Sequence, residues 1–358
     1  MDICSQLASP QQSRPIVIVG AGGIVKDAHL PAYAKAGFEV VAIYDLDAAK
    51  ATTLAAQFGI PKVCTSLTDL IASAPRDAIF DVAVPAAATQ GVLEQLPDHV
   101  TVLIQKPLGN DLAEAKKLQT LVEAKALTAA VNFQLRFAPF VLAAKSLIAQ
   151  GVIGDLHDME VRVCVYTPWQ LWQFLETLPR MEILYHSIHY LDLMRDMLGE
   201  PNSVYAKTIK HPNTPKLASS RSSIILDYGD TIRSVISTNH GHNFGLKHQE
   251  SFIKWEGTKG AIKATMGLLM NYPQGEADSF EYCTLAEGQP LQCPQWQSLA
   301  LEGTWFPDAF IGSMTSLMHF AEGSSPTLPT ATHDALKTMQ LVEAAHISND
   351  EGGVRIDL

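Results

Sequence analysis

Gly20, Gly22 and Gly23, with Ile24 after them, stand directly behind the apolar run Ile16-Val17-Ile18-Val19, and that combination suits the gripping of a pyrophosphate. A strand ending in glycines can turn sharply into a helix. Gly20 takes the tight turn, and Gly22 leaves backbone N–H groups open to phosphate at the helix N-terminus. The third position of such a fingerprint is ordinarily Gly or Ala and is Val25 here, so the glycines alone do not identify the ligand. Asp45 adds to them. It closes the second apolar run, Val40-Val41-Ala42-Ile43-Tyr44, where a carboxylate accepts hydrogen bonds from the hydroxyls of an adenosine ribose. A 2′-phosphate would meet like charge there, and Lys50 is a helical turn away, so NAD is the expected cofactor and NADP is disfavoured. The small residues around Pro85 would let a flat nicotinamide ring approach the carboxyl edge of a sheet. Lys106 follows the apolar run Val100–Ile104, with Pro107 stiffening the chain beyond it, an uncommon place for a merely solvated charge. Each has a plainer reading: Asp45 as a helix N-cap, although Asp47 can fill that place, the Pro85 segment as ordinary loop, and Lys106 as a surface lysine.

These residues need a parallel sheet to bring them to one edge. From Pro15 onward the runs Ile16–Gly20, Glu39–Tyr44, Asp81–Pro85 and Val100–Ile104 are each followed by an amphipathic stretch. Strict alternation of strand and helix predicts a doubly wound sheet, reaching to about Asn132. A helix over Pro139–Gln150 ends at Gly151. After it come long strand-like runs at His157–Tyr166, Ser203–Ile209, Ser222–Tyr228, Thr231–Ser237, Glu250–Glu256 and Gly260–Ala264, joined by short polar turns, which predict a largely antiparallel sheet. One helix, Met181–Leu198, interrupts them and stops at Gly199 with Pro201 beyond. Two more are expected at Ala309–Gly323 and Thr332–Asp350. The expected fold is an α/β N-terminal Rossmann domain, residues 1–133, plus an α+β C-terminal domain, residues 134–358, with a large, mostly antiparallel open sheet. The loop Ala286–Leu299 is the expected mobile or partner-facing segment.

A length of 358 residues exceeds the roughly 250–300 at which a single core stops growing, in keeping with two domains. A hydrophobic content of 47% against 18% charged residues describes a folded chain. The net charge of −11, without clustered Lys or Arg, argues against nucleic acid or an anionic membrane as partner and leaves small polar molecules. Five scattered cysteines without a CxxC pair fit a reducing compartment. Residues 1–15 lack the pattern of a signal peptide, and no apolar run approaches the roughly 18 residues of a membrane span. A cytoplasmic location is the expectation.

Several ordered motifs resemble the glucose-fructose oxidoreductase / inositol dehydrogenase / rhizopine catabolism (Gfo/Idh/MocA) family over nearly the whole chain. They are Gly20-Ala21-Gly22-Gly23-Ile24 with His29-Leu30-Pro31-Ala32, then Gln105-Lys106-Pro107-Leu108, then Asn132 through Pro139. His189-Tyr190-Leu191-Asp192-Leu193 and Trp255 through Gly260 complete the set. The family's Glu-Lys-Pro becomes Gln105-Lys106-Pro107, so the lysine carries over and a possible charge partner is lost. Aligned on His189 and Asp192, the family's Asp-x-Gly-x-His-x-x-Asp run has Tyr185 in place of the aspartate and Ser187 in place of the glycine. On a helix Tyr185 and His189 share a face, and His186 adjoins it.

When hydride leaves a carbinol carbon, the hydroxyl proton needs a base and the developing alkoxide needs a cation. The resemblance therefore implies His189 as general base, Lys106 as orienting electrophile and Tyr185 as supporting donor; Asp192, three residues beyond His189, is spaced either to orient its ring or to bond backbone or Arg195. It assigns Gly20, Gly22, Gly23, Ile24, Asp45, Pro85, Lys106 and Gln134 to the cofactor, and Lys106, Arg136, His186 and His189 to the substrate. No metal is expected, because His240, His242 and His248 lack a recognised ligand interval. Trp169, Trp172, Phe174 and Trp305 are expected in core or oligomer contacts, or against a sugar face. The family's open sheet implies a homodimer or homotetramer. The expected function is an NAD(P)-dependent dehydrogenase acting on a hydroxyl of a sugar, sugar acid or polyol. An NAD-dependent glycosidase-type member and a non-catalytic NAD(P)-binding regulator are the alternatives, and loss of the catalytic lysine, the mark of the last, is not met.

Overall fold

Strand and helix alternate along the first part of the chain: β1 (Ile16–Val19), α1 (Leu30–Ala36), β2 (Val40–Tyr44), α2 (Ala48–Phe58), β3 (Lys62–Val63), α3 (Leu67–Ser73), β4 (Ile79–Val82), α4 (Ala86–Gln95), β5 (Thr101–Ile104), α5 (Leu112–Ala124) and β6 (Thr128–Val131). The structure is a computed structural model and describes residues 3–285 and 294–353. The six strands form one sheet in the order β3-β2-β1-β4-β5-β6, every neighbouring pair parallel. Strand order reverses between β1 and β4, the switch point at which such sheets open a crevice beyond their carboxyl ends. β1, β4 and β5 are buried along their whole length, as continuous apolar runs covered on both faces must be. The expected strand Asp81–Pro85 is corrected: β4 starts at Ile79 and ends at Val82, and Pro85 caps α4.

The second sheet follows α6 (Pro139–Ala149). Its strands are β7 (Leu156–Cys164), β8 (Ser203–Ile209), β9 (Arg221–Asp227), β10 (Arg233–Asn239), β11 (Glu250–Gly257), β12 (Gly260–Thr265), β13 (Ser279–Thr284) and β14 (Gln297–Ser298), and α7 (Ile188–Leu198) lies between β7 and β8 in sequence. The order is β14-β13-β12-β11-β7-β10-β9-β8, antiparallel apart from the β7–β10 pair. Alternate residues of β9, β10 and β11 are buried, the period-two pattern of a sheet with one covered face. On that face Ser234 and Trp255 contact Met194 and Met197 of α7. Tyr205 and Ile225, paired across β8 and β9, are exposed. The fold class is the one expected. Of the loop Ala286–Leu299, residues 286–293 lie outside the described residues.

Two compact units result: Gln6–Ala138 with Phe306–Gln340, and Pro139–Trp305 with residues 3–5 and 341–353. Phe306–Gln340 lies well beyond residue 133 in sequence yet groups with the Rossmann strands. Its helix α8 (Asp308–Glu322) packs Phe310, Met314, Leu317 and Met318 into the core of Ile16, Ile18, Val25 and Tyr33. The last helix, α9, spans Thr332–Glu351. Among the described residues no helix is long and apolar enough to cross a membrane.

Candidate functional site

The glycine turn after β1 is held open by sterics. Gly20 has φ +116°, and a Cβ there would lie 2.4 Å from the Ala83 carbonyl oxygen. Gly20→Ala is therefore expected to cost about 1–3 kcal/mol from backbone strain alone; an unchanged denaturant midpoint would contradict this. No atom of the described residues stands within 4 Å of a Cβ on Gly22, which leaves that side of the turn clear for a ligand. The N–H groups of Val25 and Lys26 bond the Gly22 carbonyl, while the amides before them, at the positive end of the helix, have no intrahelical acceptor. The helix opens with a π turn over Val25–His29 that turns Val25 fully into the core. A branched residue thus fits the third fingerprint position by packing inward.

Asp45 stands at the tip of β2, where one carboxylate oxygen accepts the Ala21 N–H at 2.6 Å and the other the Asp47 N–H at 2.7 Å. The carboxylate is thereby tied to the glycine turn. Asp47 is the cap of α2, and the Lys50 ammonium pairs with Asp47 at 3.4 Å. Pro85 is exposed just beyond β4. Gln134 opens the short 3-10 turn Gln134–Phe137 after β6. Its Oε1 is buried and has no hydrogen-bond partner among the described residues, an orphan acceptor that a bound molecule would satisfy. Open amides, an adjoining carboxylate and a buried orphan acceptor fit a dinucleotide. Arg136, by contrast, is buried and donates to Asp334 at 2.6 Å and to the Pro329 carbonyl at 3.0 Å, contacts that fix it within the Rossmann unit.

Lys106 is half-buried at the carboxyl lip of β5, and burial pushes its pKa down to about 8. Next to it, Gln105 is anchored in a polar chain that the sequence reading missed. Asn132 Nδ2 donates to Gln105 Oε1 at 3.0 Å and lies 3.5 Å from His29 Nε2. His29 Nδ1 pairs with Asp81 at 2.7 Å, and the Tyr33 hydroxyl donates to the same carboxylate at 2.8 Å. His29, Asp81 and Asn132 are fully buried. Burial, reinforced by the Asp81 carboxylate, raises the Tyr33 pKa well above its ordinary value. A signal was available in Asp81, an ionisable residue inside an otherwise apolar run.

In the second unit the expected helix Met181–Leu198 is corrected at its start, where Ile183–Ser187 forms a π turn before α7. Such turns recur at functional sites. Tyr185, His186 and His189 all stand here, each edged against different aromatic rings. Tyr185 packs on Phe174 at 6.3 Å, His186 on Trp169 at 5.2 Å, and His189 on Trp305 at 6.0 Å. Trp169 belongs to a small core with Leu175, Met181 and Leu217, against which Trp172 and Tyr185 pack. Asp192 is buried, and the Arg195 guanidinium goes to Glu200 at 2.6 and 2.8 Å. Among the described residues no cluster of three or more His, Cys, Asp or Glu could hold a metal ion.

Residues 14–133 match the family described as "Oxidoreductase family, NAD-binding Rossmann fold", and residues 141–263 match the GFO/IDH/MocA C-terminal domain. The chain belongs to the GFO/IDH/MocA oxidoreductase family, and its first sheet is that family's NAD-binding domain. It is similar to D-apiose dehydrogenase from Paraburkholderia graminis, 22% identical over 94% of this chain and 87% of that one. An oxidoreductase from Agrobacterium radiobacter, in complex with NAD+, L-tartaric acid and magnesium, shares the fold at a TM-score of 0.74 with 22% identity, covering 96% of this chain and 98% of that one. The super-repressor mutant of Gal80p from Saccharomyces cerevisiae does so at 0.76 with 16% identity, covering 96% and 97%. At such identities these two likenesses concern the fold, and function has to be argued from the site.

Proposed function

We propose that this chain is an NAD-dependent dehydrogenase that oxidises a hydroxyl of a sugar, sugar acid or polyol. The observation that carries the reading is Lys106: a half-buried ammonium at the carboxyl lip of β5, in a sheet whose glycine turn and Asp45 are shaped for a dinucleotide. The amides at Gly22, Gly23 and Ile24 hold the pyrophosphate, Asp45 the adenosine ribose, and Gln134 and the Pro85 segment the nicotinamide end. NAD, when bound, supplies the hydride acceptor. Lys106 orients the reacting hydroxyl and stabilises the alkoxide charge that develops on its oxygen. His189 takes the hydroxyl proton, with Tyr185 as a neighbouring donor and His186 toward the substrate. Arg136, positioned by Asp334 and the Pro329 carbonyl, is assigned toward the substrate by the family resemblance. The similarity to D-apiose dehydrogenase supports a carbohydrate as the substrate class.

The test is the purified protein with NAD or NADP against aldoses, ketoses, inositols and sugar acids, following reduced nicotinamide. Turnover with NAD in preference to NADP is expected. Cofactor binding without turnover on any member would remove the dehydrogenase reading in favour of a sensor or a glycoside-cleaving enzyme.

A further inference from the structure

Glu182 and His240 are buried groups for which the reaction outlined above has no use. Glu182 is fully buried just before the π turn. Its Oε1 accepts from the Ser187 hydroxyl at 2.8 Å and its Oε2 from the Ser222 hydroxyl, while its own N–H donates to Ser219 Oγ at 3.3 Å. Burial alone would raise its pKa, but His240 and the two serine hydroxyls outweigh that and keep the carboxyl below its ordinary value. An ionised carboxylate sits in the interior.

His240, at the end of β10 and 1% exposed, faces that carboxylate. Its Nε2 is 3.4 Å from Glu182 Oε1, and its Nδ1 is 3.0 Å from Thr167 Oγ1. The rings of His186 and Trp169 wall it at 4.7 and 5.4 Å. Thr167, just past β7, is half-buried. Carboxylate, imidazole and hydroxyl thus form a series running from the wholly buried Glu182 to the half-buried Thr167. Trp169 Nε1, buried in the same cluster, has no acceptor among the described residues.

The carboxylate gives this series a direction. It accepts only, so a neutral imidazole facing it at 3.4 Å carries its proton on Nε2 and offers a bare Nδ1 to Thr167. Thr167 must then spend its hydroxyl hydrogen on Nδ1, and its oxygen lone pairs are left as pure acceptors. We propose that Glu182, His240 and Thr167 form a substrate subsite that recognises a second hydroxyl of a polyhydroxylated substrate, the substrate hydroxyl donating to Thr167 Oγ1. A ketone, a carboxylate or a phosphate at that position has no hydrogen to give and is rejected. This inference rests on the dehydrogenase reading and narrows its substrate to compounds carrying a second free hydroxyl besides the one that reacts.

The experiment compares wild type, Thr167→Val and Thr167→Ser on an accepted carbohydrate and on its deoxy analogue, together with 15N imidazole NMR of His240. Thr167→Val keeps the shape and removes the hydroxyl. Its KM for the parent should rise about tenfold, the worth of one hydrogen bond, with the deoxy analogue unaffected and Thr167→Ser near wild type. NMR should show His240 protonated at Nε2 and bare at Nδ1. An equal loss on both substrates, an equal loss in Val and Ser variants, no loss at all, or a proton on Nδ1 would overturn the subsite. If the wild type oxidises no carbohydrate, the dehydrogenase reading has failed and the subsite falls with it; a wild type that turns over beside an unaffected Thr167→Val refutes the subsite alone.

Discussion

Lys106→Ala is expected to lower kcat by about 10²- to 10⁴-fold, the range for removing a positioned charge or proton-transfer partner from a transition state, while the chain stays folded and still binds NAD through the glycine turn. The half-buried ammonium is worth more to a developing alkoxide than a solvated one would be, because the surrounding dielectric is lower. Burial brings its pKa down to about 8, which makes the claim testable by pH. Below about 8 the lysine is a cation and above it an amine. If the cation orients the hydroxyl and stabilises the alkoxide, kcat/KM falls as pH rises through that value. If the neutral amine were the base, kcat/KM would rise there instead. Gln105→Glu supplies the family's missing carboxylate beside the lysine, stabilises the cation and should move the falling limb to higher pH. A profile unchanged in Lys106→Ala and Gln105→Glu would exclude the lysine from the reaction.

The second large effect is at His189. His189→Ala should reduce kcat/KM by about 10²- to 10⁴-fold, the usual worth of a general base. This side chain is only 7% exposed and edges Trp305, so its removal also leaves a small cavity, and activity loss alone would not separate chemistry from packing. Added imidazole separates them. A base role predicts that free imidazole restores part of the rate in His189→Ala and none in Lys106→Ala, whereas a packing role predicts a lower thermal midpoint and no rescue that depends on the free base.

Much of this arrangement was legible because it is local. Alternating apolar runs and amphipathic stretches announce the parallel sheet, and the period-two runs announce the second sheet, with β8 found at Ser203–Ile209 as expected. Asp45 at the end of β2 and Lys106 at the end of β5 could be placed because strand ends are visible in sequence. The offset of β4 came from Asp81: a carboxylate in a strand interior reads as a boundary unless its partners are known, and His29 and Tyr33 lie about fifty residues away in the chain. The π turns at Val25–His29 and Ile183–Ser187 are backbone hydrogen-bond registers and leave no side-chain period to read. The membership of α8 was hidden for a related reason, since an apolar stripe does not say which sheet it covers. Glu182, His240 and Thr167 come from three separate segments: the pairing of β7 with β10 brings Thr167 to His240, and Glu182 joins them from the segment before α7, held by Ser222 of β9.

The most direct test of the central claim follows the hydride itself. An accepted carbohydrate deuterated at its carbinol carbons is incubated with the protein and NAD, and the reduced cofactor is isolated and weighed by mass spectrometry. Stoichiometric release of reduced nicotinamide carrying one deuterium, matched by one equivalent of carbonyl product, is the predicted result. A cofactor that stays bound and shows no net reduction while substrate is consumed, or reduced nicotinamide without deuterium, would contradict it.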